Sequence, residues 1–198
     1  MQARSLAVVA ALAGVGVGLL SGCMGMGRRL GGGGGHQKQQ PAEDYPQLPI
    51  NVPTSLQVQP GQTLALVLKG TGVQIYVCGA SREEEGKYQW LLKAPEAELT
   101  SSRGKSMGKH YGGPTWEAED GSKVVARVIA SDKDTDPNTI PWLLLSATSN
   151  SGTGIFSRTT GIQRLYTVSG KAPIDGCDRD HLGREARISY SAQYYFYN

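Results

Sequence analysis

The sequence predicts an all-β domain, either an antiparallel β-sandwich or a barrel, from about residue 55 to residue 198. Short runs of β-branched and aromatic residues alternate with turn sequences rich in Gly, Pro and Asp. No stretch of this region keeps apolar residues at helical spacing over ten residues without an intervening Gly or Pro, so a long amphipathic helix is not expected. A region of about 145 residues suits one domain with a single core.

Strand-length runs occur in order along this region. The first four are residues 63–68, 73–78, 88–92 and 123–129, each bounded by a turn sequence. The last segment alternates most clearly, with Ile188, Tyr190, Ala192, Tyr194 and Phe196 on one face. We expect that face to lie in the core.

The carboxyl-terminal aromatic residues leave two interpretations open. Tyr195 and Tyr197 fall on the face opposite to the expected core. They either stack within the sheet or form an exposed aromatic rim that contacts a glycan or a partner protein.

The amino terminus has the features of an export signal. An apolar run begins at Ser5 behind Arg4 and ends in Leu-Ser-Gly-Cys23, and a positive start, an apolar segment and small residues at the cleavage site define a signal peptide. The ending resembles the lipobox of bacterial lipoproteins. We therefore expect residues 1–22 to be a lipoprotein signal peptide, and Cys23 to receive fatty acyl chains such as palmitate and to anchor the chain to a membrane of the bacterial cell envelope.

Two alternatives to this lipoprotein hypothesis remain. The apolar run could be a retained transmembrane anchor, although spanning helices need about 20 apolar residues and several glycines interrupt this one. The chain could also be secreted after cleavage elsewhere, for example after Ala13. If the source has an outer membrane, Met24 in place of Asp after the modified cysteine favours sorting to it.

Residues 23–54 are rich in Gly and Pro and are expected to form a disordered tether, because such a segment buries too little apolar surface to offset its ordering entropy. Charge gives little information about partners. The chain has 20 Lys and Arg against 17 Asp and Glu, scattered along the sequence. Nucleic-acid binding usually requires a clustered basic face, so no nucleic-acid partner is expected.

Two cysteines, Cys78 and Cys177, lie beyond the tether. An isolated pair in an oxidising compartment favours a disulfide. A metal site that uses Cys177 and His181 is a weaker alternative, and we predict no metal.

Four blocks of the chain resemble a single protein family. They are residues 72–78, 110–116 with 120–122, 140–145, and 162–197. In this order they resemble the domain of unknown function family 3455, over nearly all of the chain after the tether. The resemblance implies a secreted or envelope protein and no established activity. One departure is Ser169-Gly170, where the family has Gly-Gly, and we expect it to alter only a turn.

A dehydrogenase label has been attached to some members of that family, but this sequence offers it no physical support. Dinucleotide binding needs a Gly-x-Gly-x-x-Gly turn between a strand and a helix, whereas residues 31–35 lie in the tether. A P-loop is absent as well, because Gly104-Lys105-Ser106 lacks the required upstream glycine. We therefore predict no cofactor.

The block from residue 109 to residue 122 is the strongest candidate for binding or chemistry. It contains His110, Tyr111, Trp116, Glu117 and Asp120 around a Gly-Gly-Pro turn. Imidazole titrates near neutrality, and indole and phenol rings offer flat amphipathic surfaces. The block could equally be structural. Catalysis would require His110 as a base with Asp120 or Glu117 as its orienting carboxylate.

Gln163 and Arg164 form a second candidate site. Strand alternation places Gln163 on one face and Arg164, with Tyr166, on the other. The planar fork of Arg164 could bind a carboxylate or a phosphate. A buried salt bridge to Asp or Glu, or a solvated surface arginine, would explain it as well.

These observations predict a non-catalytic binding module for a small molecule, a glycan or a partner protein. A hydrolase-type enzyme that uses His110 is the first alternative, and a structural component of the envelope is the second. Whether the chain is an enzyme stays open at this point.

Overall fold

A computed structural model describes residues 47–132 and 136–198. The fold is all-β, with eight antiparallel strands in one sheet. They are β1 (Leu64–Ala80), β2 (Tyr88–Thr100), β3 (Ser106–Tyr111), β4 (Thr115–Ala118), β5 (Lys123–Asp132), β6 (Trp142–Ser151), β7 (Gly161–Ser169) and β8 (Glu185–Tyr197). Each strand pairs with the next, and β8 pairs with β1, which closes the sheet into a barrel. The all-β, single-domain prediction is confirmed, and of the two predicted architectures the barrel is observed.

Helical structure in the described residues is limited to two 3-10 turns, Thr54–Leu56 and Arg179–His181. No helix in this part of the chain is long and apolar enough to cross a membrane. The predicted signal peptide (1–22), the lipidation site Cys23 and the tether up to residue 46 lie outside the described residues.

Alternate side chains of the strands fill the barrel. On β8, Tyr190, Ala192, Tyr194 and Phe196 are at most 3% exposed, as the alternation predicts, while Ile188 is half-buried. The other strands and one loop contribute further buried apolar side chains to the same cluster, among them Leu68, Leu99, Trp116, Val124, Leu145, Phe156 and Ile162. The barrel interior is therefore the main hydrophobic core.

A second apolar cluster lies on the outer face of the barrel sheet, beneath the segment that precedes β1. Leu56 is fully buried there, and it packs with Leu144, Leu165, Tyr195 and Tyr197. Because this segment covers Tyr195 and Tyr197, they are only 5% and 2% exposed. The alternative of an exposed aromatic rim is wrong.

Ile50, which lies within the segment predicted as tether (23–54), forms hydrogen bonds with the outer face of the barrel. The Tyr166 hydroxyl accepts from the Ile50 N–H at 2.8 Å and donates to the Ile50 carbonyl at 2.7 Å. The Gln163 amide donates to the Leu56 carbonyl at 2.6 Å. Residues 50–56 are thus fixed to β7 by hydrogen bonds between β7 side chains and their backbone, as well as by apolar burial.

The predicted disulfide between Cys78 and Cys177 is present, with the Cα atoms 5.3 Å apart. It joins the end of β1 to the loop between β7 and β8. The same loop is held by a hydrogen bond from the Trp90 indole to the Asp175 carbonyl at 2.9 Å, and by one from the Gly183 N–H to the Cys78 carbonyl at 2.9 Å. Since Cys177 is in a disulfide, it offers no thiolate to a metal. No cluster of three potential metal ligands occurs among the described residues.

Close approach of β1 and β2 depends on Gly72. A Cβ atom at this position would lie 2.1 Å from the Glu96 carbonyl oxygen and 2.5 Å from the Ala97 Cα. Both are backbone atoms that cannot rotate away, so a side chain here would force the two strands apart.

Candidate ligand-binding cavity in the barrel

One end of the barrel interior is not filled by side chains. A cavity of about 300 Å³ lies at the end that carries the β3–β4 turn and the β5–β6 connection. Its apolar walls include Leu92, Pro95, Val128, Ile140, Leu143 and Leu145. Side chains with polar atoms, Tyr76, His110, Trp116, Arg164 and Tyr194, complete the lining. An apolar space with a few polar groups is the usual composition of a small-molecule site.

Arg164 enters the cavity from β7, where Ile162 on the same face belongs to the interior core. Its Nε and Nη2 atoms both donate to the Pro141 carbonyl oxygen, at 3.3 and 2.8 Å. Burial lowers the pKa of the guanidinium. No salt bridge joins Arg164 to a carboxylate among the described residues, so the predicted alternative of a buried ion pair is not observed, and the side chain is half-buried.

The groups around Arg164 are phenols, not carboxylates. Tyr194 is its cross-strand partner on β8, and Tyr76 and Tyr190 also lie close enough to influence it. Burial raises the pKa of all three hydroxyls above the ordinary value of 10, most strongly for Tyr194. They are therefore neutral at physiological pH, and no anionic side chain among the described residues pairs with Arg164.

His110 forms the second polar element of the cavity, and it is only 3% exposed. Its Nδ1 lies 2.8 Å from the Thr115 carbonyl oxygen, which requires a proton on Nδ1. Burial lowers the pKa of His110 to about 3. The imidazole is consequently neutral, and Nε2 is left as a hydrogen-bond acceptor.

The aromatic wall of the cavity depends on a glycine in β1. The Tyr194 ring lies over Gly70, where a Cβ atom would be only 2.5 Å from its Cε2. This position lets the ring meet Trp116 edge-to-face, with centroids 5.6 Å apart. The Trp116 indole N–H is buried and has no acceptor among the described residues.

The predicted block from residue 109 to residue 122 does not form one site. It is a hairpin, β3 and β4, in which His110 and Trp116 line the cavity. Tyr111 and Glu117 lie at alternate positions and bond to each other, with the hydroxyl donating to Oε2 at 2.6 Å. This bond and Lys123, 3.3 Å from Glu117, lower the pKa of the Glu117 carboxyl.

Asp120 lies at the other end of β4, in the turn before β5. Its carboxylate accepts from the Ser122 N–H at 2.8 Å, the Ser122 hydroxyl at 2.6 Å and the Ile155 N–H at 2.8 Å. The serine hydroxyl makes the largest contribution to lowering the pKa of this carboxyl. Asp120 therefore stabilises a turn against the neighbouring loop and does not line the cavity.

The geometry that the hydrolase hypothesis requires is not observed. His110 bonds through Nδ1 to a backbone carbonyl, and the carboxylates of Glu117 and Asp120 bond to other groups. No orienting carboxylate reaches the imidazole from either predicted partner.

Gln163 is also structural. Its amide nitrogen donates to the Leu56 carbonyl, and its Oε1 accepts from the Tyr197 hydroxyl at 2.6 Å. Of the six predicted binding residues, the structure thus brings His110, Trp116 and Arg164 to one cavity and places Tyr111, Asp120 and Gln163 elsewhere.

Several cavity residues were not predicted. Tyr76, Val128 and Leu143 lie far apart in the sequence and meet only because the sheet closes. The sequence of β1 gives no signal for Tyr76, because the apolar residues Val73, Ile75 and Val77 occupy the alternate positions.

Comparison with known proteins identifies a family. Residues 59–198 match the family described as "Protein of unknown function (DUF3455)", which is more than two thirds of the 198-residue chain. The match begins before β1 and includes all eight strands and every residue that lines the cavity. Neither the curated proteins nor the solved structures gave a match. The chain therefore belongs to the DUF3455 family.

Proposed function

We propose that this protein is a non-catalytic binding module that holds a small molecule inside its barrel. The cavity of about 300 Å³ carries the proposal. At the liquid volume of about 30 Å³ per water molecule, this cavity has room for about ten waters. A ligand of about ten to fifteen non-hydrogen atoms would occupy a similar volume.

The composition of the walls favours binding over chemistry. The apolar side chains around the cavity can release water when a ligand enters, which is the main favourable contribution to small-molecule binding. The neutral His110 lacks the carboxylate that would activate it as a base.

A rigid frame supports the site. The Cys78–Cys177 disulfide and the hydrogen bonds of the β7–β8 loop fix one side of the barrel end. A pre-formed site loses little conformational entropy when it binds its ligand.

Location completes the proposal. The lipobox-like sequence ending at Cys23 supports a lipid anchor in the bacterial cell envelope, with the barrel displayed on a tether. Metabolic labelling with a fatty-acid analogue tests this part: we expect label on the wild-type protein and none on the Cys23→Ser variant. Equal labelling of both would contradict the anchor.

Calorimetric titration of the full chain, carrying Cys23→Ser so that no acyl chain is attached, with 2-naphthamide, a neutral aromatic probe of suitable size, tests the binding function. Val128 lines the cavity and is 47% exposed, so Val128→Trp should block the site without disturbing the core. Ile129 is 43% exposed and does not line the cavity, which makes Ile129→Trp the matched control.

We expect binding to wild type and to Ile129→Trp, and at least tenfold weaker binding to Val128→Trp. If the probe binds none of the three proteins, or binds all three equally, the cavity is not a binding site for molecules of this kind.

A further inference from the structure

We infer that the ligand is a small carboxylic acid with an apolar body, bound as its anion by the guanidinium of Arg164. This inference rests on the proposed function and specifies its ligand class. Three observations support it: no carboxylate pairs with Arg164 among the described residues, a second edge of its guanidinium faces away from the Pro141 carbonyl, and no other Lys or Arg lies among the described residues that line the cavity.

The first observation concerns charge. A cation removed from water is unfavourable unless an opposite charge accompanies it. The phenols near Arg164 are neutral, and no carboxylate in the described part of the chain pairs with it. A ligand anion would supply the missing charge.

The second observation concerns hydrogen bonds. The Pro141 oxygen accepts from both Nε and Nη2, so one carbonyl occupies that edge of the guanidinium. The Nη1–Nη2 edge carries two parallel N–H groups, and the neutral Tyr194 hydroxyl is the other hydrogen-bond partner of the guanidinium. This geometry matches the two oxygens of a carboxylate, which bind such a fork in bidentate fashion.

The third observation concerns the number of charges. Arg164 is the single Lys or Arg among the described residues that line the cavity. Lys109 and Lys123 lie instead beside Glu117, on the other face of the β3–β4 hairpin. One cation among apolar side chains suits a monoanion, whereas a phosphate dianion would need further donors or charges.

The remaining polar atoms are consistent with this ligand class. The hydroxyl of Tyr194 lies beside Arg164 and 3.1 Å from the Tyr190 hydroxyl. When Tyr190 is the donor of that pair, the Tyr194 proton is available to a carboxylate oxygen. Leu92, Leu143 and Leu145 can contact an apolar body. Such a molecule would be held at one end by charge and along its length by burial.

A matched pair of probes separates the contribution of the carboxylate from that of the apolar body. The 2-naphthoate ion and 2-naphthamide have the same shape and the same number of non-hydrogen atoms, and only the first carries a charge. The protein is the full chain with Cys23→Ser in every arm, so that no attached acyl chain competes for the cavity. Dissociation constants are measured by calorimetry at neutral pH.

We expect wild type to prefer 2-naphthoate over 2-naphthamide by roughly 10- to 100-fold, as a charge-assisted hydrogen-bonded pair would give. Arg164→Met keeps the apolar stem, and it should bring the two affinities within about threefold of each other while 2-naphthamide still binds. Arg164→Lys keeps the charge without the fork, and its preference for the anion should be intermediate. Thermal unfolding of each variant reports whether it is folded.

The outcomes distinguish this inference from the proposed function. Equal affinity of wild type for the two probes would overturn the carboxylate inference and leave the binding function intact. An anion preference that Arg164→Met retains would also overturn it. If neither probe binds wild type, both proposals fail. If Arg164→Met does not fold, Arg164→Lys decides the question. An Arg164→Lys protein that prefers 2-naphthoate over 2-naphthamide as strongly as wild type does would contradict bidentate binding by the guanidinium.

Discussion

His110 and Trp116 are cross-strand partners in the β3–β4 hairpin, and their rings stack with centroids 4.3 Å apart and planes inclined by 13°. The pair forms one wall of the cavity. Stacking buries the imidazole, and the Thr115 carbonyl fixes its proton on Nδ1. A residue that sequence reasoning identified as a possible base is thereby held neutral as part of an aromatic wall.

The first prediction is a pH dependence of stability that comes from His110. Its folded pKa of about 3 lies below the ordinary value of 6.5, so between these values the unfolded state binds the extra proton. Stability therefore falls as the pH falls from 6.5 towards 3. Between pH 7 and pH 5 this group alone should reduce the free energy of unfolding by about 2 kcal/mol.

Urea denaturation at the two pH values, with His110→Asn as the control, measures this effect. The asparagine amide can still donate to the Thr115 carbonyl but does not titrate, and the other two histidines are common to both proteins. We expect the loss between pH 7 and pH 5 to be about 2 kcal/mol smaller in the variant. Identical losses would show that His110 is accessible to protons in the folded state.

The second prediction concerns the close strand pair at Gly72. In Gly72→Ala the new methyl group would meet the backbone of Glu96 and Ala97, and overpacking of this kind should cost about 3 kcal/mol. Gly79→Ala is the matched control in the same strand, because its Cβ would meet only the end of the Leu91 side chain, which can rotate. A thermal midpoint for Gly72→Ala no lower than that of the control would contradict the geometry of β1 and β2.

The third prediction concerns the disulfide. Cys78 and Cys177 are separated by 99 positions, and in the chain-entropy model such a link stabilises the fold by about 4.7 kcal/mol. The double variant Cys78→Ala/Cys177→Ala should unfold at a correspondingly lower urea concentration. Reduction of wild type under the same conditions should produce the same shift. Unchanged midpoints in both experiments would mean that the bond adds nothing to stability.

The fourth prediction concerns the covering chain on the outer wall. Leu56 is fully buried, and truncation to alanine should cost about 3 kcal/mol through lost burial and the cavity left behind. Leu48 lies in the same segment but is 70% exposed, so Leu48→Ala should change stability by less than about 0.5 kcal/mol. Similar effects of the two substitutions would indicate that residues 47–58 do not pack on the barrel in solution.

The fold class could be predicted from local pattern because strand alternation is a property of neighbouring residues. Tyr194 and Phe196 on β8 lie inside the barrel, as the period of two requires. The choice between sandwich and barrel could not be made this way. It depends on the pairing of β8 with β1, a contact between the two ends of the domain that no local pattern encodes.

Alternation also fails where the strand is irregular. The sequence places Tyr166 on the face of Arg164, but the register of β7 shifts between Leu165 and Val168, and Tyr166 adopts a φ of 49°. Its ring therefore packs in the outer cluster. A bulge of this kind has no sequence signature here, because neither Gly nor Asn marks it.

The candidate site could be predicted only in part, because its residues come together through barrel closure and not through local pattern. Arg164 and His110 were identified by chemistry, and their inward positions follow from strand alternation. The separation of Asp120 from His110 depends on the short strand β4, which carries the chain from one end of the barrel towards the other. Tyr195 and Tyr197 are buried by the segment that precedes β1, and the sequence of that segment has no periodic pattern.

Whether Arg164 holds a carboxylate inside the barrel is seen best in a crystal structure of the full chain, with Cys23→Ser, soaked with 6-bromo-2-naphthoate. Anomalous scattering from bromine locates the ligand independently of the protein atoms. We expect a bromine peak within the cavity lined by Leu143 and Leu145, and carboxylate oxygens within hydrogen-bond distance of the Arg164 guanidinium. A ligand bound outside the barrel, or one inside it whose carboxylate faces away from Arg164, would contradict the claim.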